Sequence, residues 1–157
     1  MMQDLTQAQQ VQYKSLAAGQ LTQALLSLWA TEKLCHRCAG NQDAVSALVR
    51  DALTLYGSAF KYTDLANGNL PVESHVPTRF EALHRDLIAY RDSFFAHFDA
   101  DFTPDTTVAE ENRLSWHGDA KGPSDFEEEI PQIKALVLET LSEKLWPELL
   151  DEHEQLA

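Results

Sequence analysis

The chain has 157 residues, enough for one domain to bury well over half of its unfolded surface without help from disulfides or metal. Twelve Lys and Arg stand against 25 Asp and Glu, a formal net charge of −13, which on its face speaks against a phosphate-coating protein and above all against a DNA partner. The opening MMQDLTQAQQ has no basic segment followed by an apolar run, and no window approaches the roughly 20 apolar residues of a membrane span, so neither a leader nor a membrane partner is expected and the location expected is cytoplasmic.

The acidity is uneven. Residues 1–98 hold 8 basic and 9 acidic side chains, whereas residues 99–157 hold 4 and 16, so the C-terminal part is expected to carry a solvated acidic face. From about Asp4 to Lys33 the residues Leu5, Ala8, Val11, Leu21, Leu25, Leu28 and Trp29 recur at helical spacing between Gln-rich stretches, with Gly19 as a point of division. Cys35 and Cys38 close this segment as CHRC. A single CxxC lacks the four ligands of a structural zinc site unless His36 and a distant histidine complete it, so two thiols near a helix end are expected, with no metal and no cofactor.

Asn41 is a natural N-cap for a second helix running to about Leu65, with Val45, Leu48, Val49, Ala52, Leu55, Tyr56 and Ala59 on its apolar side, stopped by Asn67, Gly68 and Asn69. The linker Leu70 to Pro77 holds two prolines and no periodicity. From Thr78 to Asp101 the spacing predicts a long central helix, with Phe80, Leu83, Leu87, Tyr90, Phe94 and Phe98 on one face. His84 and Arg91 fall on or beside that face, where a core helix has no use for them and where an unpaired charge would be expensive.

The pattern is then lost over residues 102–125, a long loop in which Thr106 to Val108 and Arg113 to Trp116 suit a short hairpin and Trp116 and His117 stand out. A last helix is expected from about Phe126, with the stripe Ile130, Ile133, Leu136, Val137, Leu141 and Leu145, ended or kinked by Trp146-Pro147 and followed by an acidic tail over residues 148–157. The sum is a single all-α domain spanning 1–157, a bundle of four helices or at most five.

On the central helix, Arg91, Asp92 and His97 give R-D-x-x-x-A-H within YRDSFFAHFD. This stretch resembles the signature of HEPN domains, helical bundles found in many prokaryotic toxins and defence proteins, which pair an arginine, usually followed by a polar residue, with a histidine a few residues on. The resemblance implies a metal-independent endoribonuclease whose site is composed from two protomers. It casts His97 as general acid or base, Arg91 as stabiliser of the phosphate charge and Asp92 as the orienting residue. His84, Tyr90 and Ser93 are then the candidate substrate contacts. It also implies a homodimer, an RNA substrate and an antitoxin or regulatory protein as partner. The chemistry is sound in its own terms, since imidazole titrates near neutral pH and guanidinium binds phosphate bidentately. Residues six apart on one helix do not converge on one phosphate, so two copies of the helix crossing about a twofold axis are needed. The competing expectation is a non-catalytic binding or regulatory bundle, in which Arg91 pairs with a carboxylate such as Asp86 or Glu32, His97 caps the helix end, and His84 is a satisfied core histidine. A metal-dependent bundle enzyme ranks last, for want of an E-x-x-H pattern.

Overall fold

The computed structural model describes residues 6–37, 42–61, 73–99 and 123–156, and within them every regular element is helical. Helix α1 spans Gln7–Arg37, α2 Gln42–Lys61, α3 Glu81–Asp99, α4 Ile130–Glu139 and α5 Trp146–Leu156. Single 3-10 turns occupy Glu73–His75 and Thr78–Phe80, and a longer one Pro123–Glu129 leads into α4. The protein is an all-α bundle, as its apolar spacing predicts. Among the described residues no helix is long and apolar enough to cross a membrane.

A capping box opens α1: the backbone N–H of Gln9 donates to the Thr6 hydroxyl, and the Gln9 side-chain oxygen accepts from the Thr6 N–H at 2.9 Å. The helix then runs unbroken through Gly19, where a division was expected, because a single glycine weakens a helix without ending it. It buries Val11, Ala17, Ala18, Leu21, Ala24, Leu25 and Leu28. Trp29, expected in that stripe, is 43 % exposed and lies outside the core. Three ion pairs fix α1 antiparallel to the last helices: Lys14 reaches Glu148 and Glu152, and Glu32 accepts from Lys134 at 2.5 Å. Helix α2 packs along α1, with the Ser27 hydroxyl donating to Asp51 at 2.8 Å, and also meets α3, so that α2 stands between them.

The C-terminal part departs from expectation. Trp146-Pro147 neither ends the chain's last helix nor begins a loose tail; α4 passes through a π-helical stretch, Thr140–Leu145, and continues as α5 to Leu156. The buried Ile133, Val137, Leu141, Leu145 and Leu149 recur every four residues. In a regular α-helix each such step overshoots a full turn by about 40°, and the stripe would wind away from the core. The wider π turns, in which the Trp146 N–H donates to the Leu141 carbonyl five residues back, take up this excess. They also loosen the turn ahead of Pro147, whose ring would otherwise clash with the carbonyl four residues before it. Residues 148–156 are thereby structural: Leu149 is buried, and Glu148 and Glu152 hold Lys14.

That cluster is the bundle's polar seam. Lys14 is only 2 % exposed and lies 2.5 Å from both Glu148 Oε1 and Glu152 Oε1, while His75, also buried, bonds the other oxygen of Glu148 through Nε2. Burial works against the charge on Lys14, but the hydrogen bonds and charges of Glu148 and Glu152 outweigh it, and the ammonium pKa ends above its ordinary value. Burial likewise opposes the charge on Glu148, and Lys14 and His75 outweigh it, so its carboxyl is held below the usual range. The hairpin expected around Thr106 to Trp116, with Trp116 and His117, and the CHRC pair Cys35 and Cys38 lie outside the described residues or side chains. Among the described residues no group of three or more His, Cys, Asp or Glu is placed to hold a metal.

Candidate functional site on α3

Pro77 precedes the 3-10 turn Thr78–Phe80, and from Glu81 the chain winds as α3, three residues later than the sequence spacing predicts. Arg79 anchors this entry, stacking its guanidinium 4.5 Å over the Phe80 ring and pairing with Glu139 at the end of α4. The helix buries Leu87 and Tyr90 and half-buries Leu83 and Ile88, which sets which of its polar residues face α2 and which face solvent.

His84 faces α2 and is buried. Its Nδ1 is 2.8 Å from the Tyr56 hydroxyl, and its ring meets Phe60 edge-on at 4.6 Å between centroids. Whichever of the two groups donates, the contact fixes the ring's orientation. His84 is therefore a satisfied histidine, as the competing expectation has it, and it also contributes to the wall of a groove of about 430 Å³ lined with Val76, Glu81, Arg85, Ile88, Ala89 and Asp92.

Two turns further along α3, Arg91 packs its stem onto Gly57 of α2. A β-carbon placed on Gly57 would stand 2.5 Å from both Cβ and Cγ of Arg91, so only glycine admits this approach of arginine to helix backbone. The side chain remains 21 % exposed, and Nη1 donates to Asp92 Oδ1 at 3.3 Å. Glu32, one of the carboxylates expected to pair with it, is engaged with Lys134. Asp92 thus touches both the arginine and the groove. No protein-family model matches this chain, and no curated protein and no solved structure matches it either.

The expected site residues divide in three. His84 and Asp92 share the groove, and Asp92 in turn holds Arg91. Tyr90, expected as a substrate contact, is a core residue instead: it is 1 % exposed, edge-on to Phe126 at 5.7 Å, and burial pushes its phenol up to about 12 against the opposing pull of Arg50. Ser93 and His97 belong to α3, but their side chains lie outside the described ones. Sequence reasoning placed Tyr56 on the buried side of α2 but not its bond to His84, and it missed Gly57 and Phe60. The one signal for them was an isolated glycine inside a helical pattern, which marks close approach when a partner is known.

Electrostatically the groove is mixed. Glu81 and Asp92 stand with Arg85 and His84, so it is not the positive cleft that a strong RNA binder would present. What the arrangement offers is a positioned guanidinium with a neighbouring carboxylate and an oriented imidazole.

Proposed function

We propose that this chain is a HEPN-like helical-bundle protein that acts as a metal-independent endoribonuclease of toxin or defence type, with a site composed from the α3 helices of two protomers. Arg91 carries the reading: its stem is locked against Gly57, its side chain keeps about a fifth of its surface exposed, and Asp92 orients it, as suits a group that meets the phosphate in the transition state. His97, one and two-thirds turns further along α3, supplies proton transfer to the ribose 2′-OH or the leaving oxygen, worth about 10²- to 10⁴-fold in rate. An RNA substrate, a homodimer and a protein antitoxin or regulator are the partners this reading entails.

The test is a cleavage assay in chelator on a panel of RNAs, comparing the wild type with Arg91→Ala and His97→Ala, with light scattering on the same samples. Cleavage by an oligomeric wild type, lost in both folded variants, supports the site. A folded wild type that cuts none of the RNAs sinks it. The second reading, a non-catalytic binding or regulatory bundle, is favoured by the mixed charge of the groove and by the exposed Leu16, Leu26 and Trp29 of α1.

A further inference from the structure

The outward face of α1 has no role in the fold or in the α3 site, yet it is unlike the rest of this surface. Between Gln7 and Thr31 the only charged residue is Lys14, which is buried against Glu148 and Glu152, so α1 itself brings no charge to this face in a chain of net charge −13, and Asp51 of α2, bonded to Ser27, stands at its border. Along it Gln12, Leu16, Gly19, Gln23, Leu26 and Ala30 alternate steps of four and three residues. That is the heptad spacing of a helix seam. At 100° per residue these six fall within an arc of about 80°, opposite the buried Leu21, Ala24 and Leu28. Leu16 is 47 % exposed and Leu26 46 % exposed.

Gly19 sits at the centre of this seam. Helix interiors disfavour glycine relative to alanine, and Gly57 shows what excuses it within the bundle: a neighbour that would collide with a β-carbon. At Gly19 a β-carbon would meet nothing within 4 Å. Among the described residues, no neighbour gives a reason for a glycine there.

We propose that this face docks α1 of a second copy of the chain, in an antiparallel pairing about a twofold axis beside residue 21. The seam is palindromic about that point. Leu16 lies as far before it as Leu26 lies after it, and the same holds for Gly19 with Gln23 and for Gln12 with Ala30. A twofold interface requires that when one residue meets another, the second meets the first on the other side. Antiparallel pairing satisfies this with each Leu16 on the partner's Leu26 and each Gln23 over the partner's Gly19, large against absent. The lack of charge on α1 suits the same occupant, because two molecules of charge −13 oppose the fewest like charges when they meet through such a face. The interface is separate from the α3 motif, since α2 stands between α1 and α3.

Cysteine cross-linking tests the register, in a background with Cys35→Ser and Cys38→Ser. In the antiparallel pair the two copies of residue 16 are about 15 Å apart, beyond disulfide reach, so mixed Leu16→Cys and Leu26→Cys chains should cross-link about tenfold more than either alone. In parallel, Leu16→Glu with Leu26→Glu should halve the solution mass by light scattering with the circular dichroism unchanged, while Arg91→Ala should leave mass and cross-links as in the wild type. A wild type that stays monomeric at sub-millimolar concentration overturns the proposal. So do cross-links that favour like positions, or a double glutamate variant that keeps the wild-type mass.

Discussion

Two glycines in helix interiors carry opposite meanings, and the difference lies in what stands opposite each. Gly57 admits the Arg91 stem; Gly19 admits nothing among the described residues. Gly57→Ala should therefore destabilise the fold, because overpacking of about 1–3 kcal/mol exceeds the gain of about 1 kcal/mol in helix propensity. Gly19→Ala, at a protein concentration low enough to keep the chain dissociated, should stabilise it by about 0.5–1 kcal/mol. Urea unfolding of both variants checks the pair, and equal signs would show that the packing at Gly57 is misjudged. Arg91 was legible in the sequence as a charge on an apolar face, and so was His84. Gly57 was not, because a glycine in a helix looks like mere loss until the residue across from it is known.

At the scale of elements, the seam at Lys14 joins the N-terminal helix to the C-terminal one. Replacing Lys14 with methionine keeps the stem but leaves the partly exposed Glu148 and Glu152 facing each other without their cation, and between the extremes for exposed and buried pairs a loss of about 2 kcal/mol is expected. The pH dependence follows from the two shifts. Glu148 is held below its ordinary 4.5, so its contribution is present above that value and is lost as pH falls through the lowered one. Lys14 is held above 10.5, so its contribution is full below that value and is lost as pH rises through the raised one. The gap between wild type and Lys14→Met should be full at about pH 7 and shrink at about pH 3, as measured by denaturant unfolding. A gap that stays constant would mean that packing, and not charge, holds the seam. The stripes of α3 and α4 were legible from spacing, since Leu87, Ile130, Ile133, Leu136, Val137, Leu141 and Leu145 are all buried as expected. The α5 helix was not. Its cue, Trp146-Pro147, is the ordinary signal for a break, and the ion pairs that retain it join residues 134 and 138 positions apart.

For the whole molecule, charge decides how copies meet. The acidic excess lies in the C-terminal part, which composition made plain, whereas the lack of charge from α1 on its outward face emerged only once Lys14 was seen to be buried. If two copies join through that face, the remaining charge still opposes their approach, and salt should ease it as the screening length falls to about 10 Å near 0.1 M. Association measured by sedimentation should therefore tighten as sodium chloride rises, the reverse of what a salt-bridged interface does. Weakening with salt would assign the contact to charged groups elsewhere.

The π-helical stretch has a consequence of another kind. It makes the last helix a vernier, two scales of the same pitch set against each other with a fraction of a turn between them. Ser142, Glu143 and Lys144 are exposed and their identities matter little there, but their number sets the offset. One residue fewer would restore uniform winding and carry Glu148 and Leu149 about 100° around the axis, away from Lys14 and the core. Along this span the fold reads the count of residues and is nearly indifferent to their kind.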